Sequence, residues 1–131
     1  METQKKQFTF RGKTLEELKK LEVREFSDFV PSRARRTILR QFQDIENFIN
    51  RVNIKISKNK PVKTHKREII IVPQLIGAKI SVYNGRTFIP IEVTGEMLGH
   101  RLGEFAPTRA KIKHNKAGIG ATKGTKANAK K

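Results

Sequence analysis

The sequence contains no cysteine, so several classes of site are excluded at once. Without thiols the chain has no disulfide, no thiolate zinc site and no cysteine nucleophile. The remaining soft metal ligands are three histidines, His65, His100 and His114, which are widely separated in sequence. Such a scattered set does not suggest a metal cage, and we expect neither a metal nor another cofactor.

The sequence also lacks a long apolar run, because the longest one, Ile69 to Val72, is the length of a strand. A membrane-spanning helix needs roughly 18 apolar residues, so the sequence predicts no membrane partner. The amino terminus, Met-Glu-Thr-Gln-Lys-Lys, carries an acidic residue and lacks the apolar segment of a secretory signal. We therefore expect a cytoplasmic protein.

Acidic residues are scarce, since 12 Asp and Glu stand against 29 Lys and Arg and leave a formal charge of +17 over 131 residues. The basic excess is +1 over residues 1–30, +8 over 31–68, 0 over 69–100 and +8 over 101–131. A nearly neutral apolar block is therefore bracketed by two basic blocks. This pattern predicts one core with basic contact surfaces on either side, and a polyanionic partner such as nucleic acid.

Catalytic motifs are also missing. No pattern joins Ser, His and Asp, and acids are few in the basic half, so we predict that the chain is not an enzyme. His100 has two interpretations other than a general base: it lies in a turn and donates to the backbone, or it contacts RNA. We expect Glu104 to form an ion pair with a basic neighbour such as Arg101.

Two helical regions are indicated in the first half of the chain. Thr14 and Glu17 form a capping-box pattern ahead of an apolar stripe, which predicts a short helix. Pro31 favours a fresh helix start near Ser32. From there one amphipathic helix is predicted by apolar residues at spacings of three and four: Ala34, Ile38, Phe42, Ile45, Ile49 and Val52.

The predicted second helix carries Arg33, Arg36 and Arg40 on another face in its first half. This stripe of guanidinium groups lies beside the positive end of the helix dipole, and both features suit phosphate. The Lys-rich stretch from Asn53 to Arg67, which contains Pro61, is typical of an extended contact loop.

The neutral block predicts a small sheet. Ile69 to Val72, Ile80 to Tyr83 and Phe88 to Val93 are strand-like, and Asn84-Gly85 favours a type I′ hairpin turn. Pro90 should lie on an edge strand, and Ile89, Ile91 and Val93 should face the second helix. Thr94 is expected to cap a short helix through Leu98. The fold class is α+β, with a small antiparallel or mixed three-stranded sheet and amino-terminal helices.

The last residues, from Asn115, are rich in Gly, Ala, Thr, Asn and Lys, and this composition buries too little surface to offset its conformational entropy. We expect a flexible amino terminus over residues 1–13, a single RNA-binding domain over 14–114, and a basic flexible tail over 115–131 that orders on its partner.

Tyr83 and Phe88 could stack on bases, but cross-strand packing is favoured.

A specific run in the carboxy-terminal half resembles the universal small-subunit ribosomal protein nineteen family. The run is Val82-Tyr83-Asn84-Gly85, then Phe88, Pro90, Val93 and Met97, and then Gly99-His100-Arg101-Leu102-Gly103-Glu104-Phe105-Ala106-Pro107-Thr108-Arg109. Upstream, Lys63-Thr64-His65, Arg67, Ile69 to Pro73 and Ile76-Gly77 are also similar. The longer amino-terminal part, Lys113-His114 and residues 117–122 resemble the archaeal and eukaryotic branch, whereas residues 123–131 depart from it.

The resemblance implies a structural constituent of the small ribosomal subunit that binds the 3′ major domain of the ribosomal RNA in the head. It implies neighbours in universal small-subunit proteins thirteen and fourteen, and a tail that reaches toward the decoding region and tRNA. The residues that the resemblance implies as RNA contacts are Lys63, Thr64, His65, Lys66, Arg67, His100, Arg101, Thr108 and Arg109 in the domain, with Lys111, Lys113, His114 and Lys116 in the tail.

Two rival functions stay open on the residues alone. An architectural DNA-binding protein satisfies the charge equally well, and competition with duplex DNA distinguishes it from a binder of folded RNA. An enzyme of unknown reaction is tested by substituting His100 and Glu104.

Overall fold

Two short strands, β1 (Thr9–Phe10) and β2 (Lys13–Thr14), form an antiparallel hairpin near the amino terminus. The structure is a computed structural model, and it describes residues 6–118 and 121–124. The turn residues Arg11 and Gly12 both have left-handed backbone, with φ of 51° and 80°. Phe8 lies so close to Gly95 that an added Cβ there would be 2.6 Å from its ring. Phe8, at the start of this hairpin, therefore packs against the segment that contains Gly95.

The first helix, α1 (Leu15–Lys20), begins as the capping box predicts. The Glu17 backbone N–H donates to Thr14 Oγ1 at 3.5 Å, and the Thr14 N–H donates to Glu17 Oε2 at 3.0 Å. A second short helix, α2 (Val23–Phe26), continues into a single 3-10 turn, Ser27–Phe29. Leu18, Val23 and Phe26 are buried, so this region contributes one side of the core.

The long predicted helix is in fact two helices, α3 (Ser32–Arg40) and α4 (Phe42–Ser57). Gln41 interrupts them with φ −114° and ψ 21°. The Gln41 N–H still donates to the Thr37 carbonyl, and the Ile45 N–H donates to the Gln41 carbonyl. The helical spacing of the apolar residues therefore continues across Gln41. For this reason the sequence pattern could not reveal the break between the two helices.

The predicted loop from Asn53 to Arg67 is wrong in two places. Helix α4 continues to Ser57, and Val62–Thr64 forms strand β3. Lysine is a good helix former, so a Lys-rich composition does not by itself end a helix. The strand depends on a parallel partner that lies beyond it in sequence, at positions 80–82.

The sheet is mixed and three-stranded, in the order β3-β4-β5, which confirms the predicted fold class. Strand β4 (Lys79–Tyr83) runs parallel to β3 and antiparallel to β5 (Phe88–Glu92). Pro90 lies on β5, which is an edge strand as predicted.

The connection from β4 to β5 is a four-residue loop rather than a two-residue type I′ turn. Gly85 has left-handed backbone, at φ 96°, but Asn84 does not, and type I′ requires both. Instead, Asn84 Oδ1 accepts hydrogen bonds from the N–H groups of Arg86 and Thr87, at 2.9 and 2.8 Å. The asparagine side chain replaces a backbone turn, which the dipeptide alone does not distinguish.

The run from Ile69 to Val72 is not a strand of the sheet, contrary to the prediction. It crosses the core fully buried, and it pairs with residues 99–103 through backbone hydrogen bonds and one isolated bridge, Ile70 with Arg101. The sheet takes its third strand from Val62–Thr64 instead. After β5, Gly95–Met97 forms a single 3-10 turn, and the Thr94 side chain makes no capping bond to it.

The two faces of the sheet differ in burial. Ile80, Val82 and Ile91 point into the core, and α4 contacts β3 from that side. Ile91 and Val93 are buried and Ile89 is half-buried, as the alternation predicts, although it is α4 rather than the first part of the predicted helix that covers the sheet.

Over residues 6–118 and 121–124, no helix has the length and apolarity needed to cross a membrane.

Candidate nucleic-acid interface

An arginine depression lies on the outer side of α3. Arg33, Arg36 and Arg40 are exposed there at the spacing that puts them on one helix face. With three further residues they line an open depression of about 340 Å³, and none of the six lining residues is acidic. The six, called the arginine depression below, are Arg33, Arg36, Thr37, Arg40, Gln41 and Arg101.

Arg101 comes from a distant part of the chain and is held in place by internal bonds. Its backbone bridges to Ile70, and its Nη2 donates to Thr37 Oγ1 at 3.2 Å. Its Nη1 donates to the Glu68 carbonyl at 3.4 Å, while the Thr37 hydroxyl donates to the Arg33 carbonyl at 3.1 Å. The fourth guanidinium is therefore positioned before any ligand binds.

Arg67, which was expected to contact RNA, turns inward. Its Nη1 donates to the Tyr83 carbonyl at 2.6 Å, and its Nη2 donates to the carbonyls of Gly103 and Ala106 at 2.8 and 2.6 Å. A Cβ on Gly103 would lie 2.9 Å from Arg67 Cβ, so only glycine leaves room for this approach. Arg67 connects the end of β4 to residues 103–106, from which the chain leaves the domain.

A second basic surface lies between α4 and β3. Lys63 and Lys66 were expected there, and the structure adds Arg51 and Lys55 from α4 around an open space of about 290 Å³. We call these four residues the lysine groove. Lys66 is 4.0 Å from Asp44 Oδ1, whereas Thr64 is buried and its hydroxyl accepts from the Lys66 N–H. Thr64 is thus an internal residue of this surface.

Lys55 was missed because the predicted loop, which begins at Asn53, ended the helix before it, and Arg51, within the predicted helix, was then left without a basic partner on its face. Both lie on α4, four residues apart, and therefore share a helix face. A helix extended to Ser57 would have revealed the pair. The position of Arg101 beside Arg33 had no local signal, since 68 residues separate them in the numbering.

His65 is exposed and contacts two aromatic rings. Its ring centroid lies 4.6 Å from that of Tyr83 and 5.1 Å from that of Phe88. Tyr83 and Phe88 are cross-strand partners 5.1 Å apart, in agreement with the predicted packing. We call His65, Tyr83 and Phe88 the ring cluster.

The Glu104 carboxylate contacts the His100 ring, and the expected ion pair with the Arg101 side chain does not form. His100 Nδ1 is 2.7 Å from Glu104 Oε2, and the Glu104 carboxylate meets Arg101 at its backbone N–H, which donates to Oε1 at 3.4 Å. The Arg101 side chain points away toward Thr37. His100 also meets the Phe105 ring edge-on at 5.8 Å.

The remaining expected contacts lie on an exposed segment. Residues 107–118, called the basic tail segment, contain no helix or strand and are exposed throughout. The expected contact residues on it are Thr108, Arg109, Lys111, Lys113, His114 and Lys116. In the part of the chain that the structure describes, no three His, Asp or Glu side chains are grouped to hold a metal ion.

Comparison with known proteins identifies the family of the chain. A family model described as Ribosomal protein S19 matches residues 33–114. A small ribosomal subunit protein uS19 from Methanococcoides burtonii is 41% identical over 122 residues, which cover 93% of this chain and 88% of that protein. Its counterpart from Methanocella arvoryzae is 42% identical over 123 residues, covering 93% and 86%. These archaeal relatives confirm the resemblance noted from the sequence. The chain therefore belongs to the ribosomal protein S19 family.

Proposed function

We propose that this chain is a structural, non-enzymatic component of the small ribosomal subunit in the cytoplasm, and that it acts by binding ribosomal RNA. The observation that carries the proposal is the arginine depression. Four guanidinium groups converge there without an acidic neighbour in the lining, and internal bonds hold Arg101 in position. Guanidinium groups match phosphate oxygens in geometry as well as in charge.

The finer proposal concerns the location. The chain binds the 3′ major domain in the head, beside universal small-subunit proteins thirteen and fourteen. Its single domain directs the tail, residues 115–131, toward the decoding region and tRNA. Support comes from the exposed basic tail segment, which leaves the domain beyond the anchored residues 103–106.

The proposed mechanism is neutralisation of phosphates by preformed and unstructured basic groups together. The arginine depression and the lysine groove fix charges at set distances on the domain, and the basic tail segment adds charges that order on RNA. His65, His100 and Thr108 belong to the contact surface by their exposure. Arg67 and Thr64 are left out of it, because the Arg67 guanidinium is bonded to three backbone carbonyls and Thr64 is buried.

The test is equilibrium binding to a transcript of the 3′ major domain at several salt concentrations. If six to ten phosphates are neutralised, affinity falls roughly a thousandfold or more between about 50 and 200 mM salt. Duplex DNA of equal length should compete weakly. A shallow salt dependence would contradict phosphate neutralisation, and equal competition by duplex DNA would favour an architectural DNA-binding protein.

A further inference from the structure

The outer face of the three-stranded sheet carries three rings at one end. Alternation along the strands places Val62 and Thr64 inward, whereas Lys63 and His65 are exposed. In the strand register Lys63 pairs with Ser81, and Tyr83 pairs with Phe88. His65, one residue beyond β3, continues this row beside Tyr83. The ring cluster therefore occupies the end of a sheet face, next to the lysine groove.

The rest of this face has the polar character of a solvated surface. Lys79, Pro90 and Glu92 are exposed on it. Aromatic rings on a solvated face need an explanation, because a ring that stays exposed does not stabilise the fold by burial. Packing between Tyr83 and Phe88 accounts for those two rings, which are half-buried. This packing does not explain His65, which is exposed although its ring contacts both Tyr83 and Phe88.

The cluster is held in a fixed shape from several sides. The Tyr83 hydroxyl donates to the Gly85 carbonyl at 3.1 Å. The Lys63 ammonium lies 5.3 Å from the Phe88 ring centroid, within cation–π range. His65 is tilted by 50° to Tyr83 and stands nearly edge-on to Phe88, at 79°. The two half-buried rings thus support the histidine ring from below.

We propose that the ring cluster is a stacking platform for one unpaired nucleobase of the bound RNA, with His65 as the stacking surface. Sequence-tolerant stacking on aromatic rings, beside basic groups that track the backbone, is the usual way in which sheet faces hold unpaired nucleotides. The lysine groove supplies those basic groups, since Lys63 and Lys66 flank His65 in sequence. This inference rests on the proposed function and adds a base contact to its phosphate contacts.

The experiment compares His65→Ala and His65→Phe with the unmodified full-length chain, on the same 3′ major domain transcript. Loss of the ring should weaken binding by roughly fivefold or more, whereas phenylalanine should keep affinity within about twofold, because it preserves the stacking surface. Chemical probing of the RNA should then reveal a nucleotide whose base is protected by the unmodified chain and by His65→Phe but not by His65→Ala. Circular dichroism checks that both variants are folded.

A second step isolates the base. When the protected nucleotide is replaced by an abasic one, the unmodified chain and His65→Ala should bind equally. Equal affinity of His65→Ala and the unmodified chain on the intact RNA would overturn the platform. Equal loss in His65→Ala and His65→Phe would overturn it too, by assigning the effect to the imidazole nitrogens. If the unmodified chain itself fails to bind the transcript, it is the proposed function that fails.

Discussion

The arginine depression and the basic tail segment carry the same sign of charge but differ in how the chain holds them. In the depression, α3 sets the spacing of three arginines, and Thr37 and Glu68 fix the fourth. The tail segment has no helix or strand, and Ile112 there is 87% exposed. The first surface is arranged within the folded chain, whereas the second would have to be ordered by a partner.

This difference teaches that net charge does not measure a binding contribution. A basic group that is already held in place keeps the full electrostatic free energy of binding to phosphate. A basic group on an irregular segment keeps less of it, because ordering the segment on binding costs conformational entropy. Both should contribute equally to the salt dependence, which counts neutralised phosphates. The two regions should differ in how much affinity they contribute. The following substitutions measure affinity and salt dependence separately.

The largest effect is expected at Arg67, which anchors residues 103–106 just before the tail segment leaves the domain. Arg67→Ala removes hydrogen bonds to three carbonyls and should lower the free energy of unfolding by about 3 kcal/mol. Arg67→Lys should recover little, because one ammonium group cannot reproduce the planar fork. Urea denaturation measures both, with the exposed Arg109→Ala as the control. A change below about 1 kcal/mol in Arg67→Ala would mean that this anchor is not structural.

Removing the charge of the arginine depression should have the next largest effect. The triple variant Arg33→Ala, Arg36→Ala, Arg40→Ala should weaken RNA binding roughly a hundredfold near 100 mM salt and lower the salt slope by about two to three. The matched control removes three exposed lysines elsewhere: Lys19→Ala, Lys20→Ala and Lys79→Ala. If the control loses as much affinity, binding depends on overall charge and not on the depression.

The same number of charges removed from the tail segment should cost less affinity. Lys111→Ala, Lys113→Ala and Lys116→Ala together should weaken binding by about tenfold, yet lower the salt slope as much as the arginine triple does. Titrations at four salt concentrations yield both quantities. A hundredfold loss of affinity would erase the distinction between the two regions.

The smallest expected effect tests the fixing of Arg101. Thr37→Val keeps the shape of the side chain but removes the hydroxyl that accepts from Arg101 Nη2. Affinity should fall by about threefold with an unchanged salt slope, since no charge is lost and one guanidinium becomes less ordered. Thr37→Ser, which keeps the hydroxyl group, serves as the control and should retain affinity. An unchanged affinity would show that the RNA positions Arg101 without help from Thr37.

The sequence predicted those parts of the fold that depend on neighbouring residues. The capping box at Thr14, the helix start after Pro31 and the β4–β5 hairpin were all confirmed, because each is specified within a few positions. The errors lay where distant residues decide. Strand β3 exists through its parallel pairing with β4, and Ile69 to Val72 pairs with residues 99–103 instead of joining the sheet.

The candidate surface divides in the same way. The stripe Arg33, Arg36, Arg40 follows from helix periodicity alone, so it could be predicted. The inward turn of Arg67 could not, because its acceptors are backbone carbonyls 16 to 39 residues away, which leave no trace in composition. Arg67 and Arg101 are both basic residues in runs similar to the family, and only the folded chain shows that Arg67 bonds to three carbonyls whereas Arg101 lines the arginine depression.

The central proposal, a structural constituent of the small ribosomal subunit, is tested most directly by sedimentation of the tagged chain from cell extract through a high-salt gradient. Ribosomal RNA is followed in every fraction. The expected result is that the chain migrates with the small subunit and stays there as salt is raised, because many phosphate contacts and neighbouring proteins hold it. Migration as a free protein, or with DNA after nuclease controls, would contradict the ribosomal assignment.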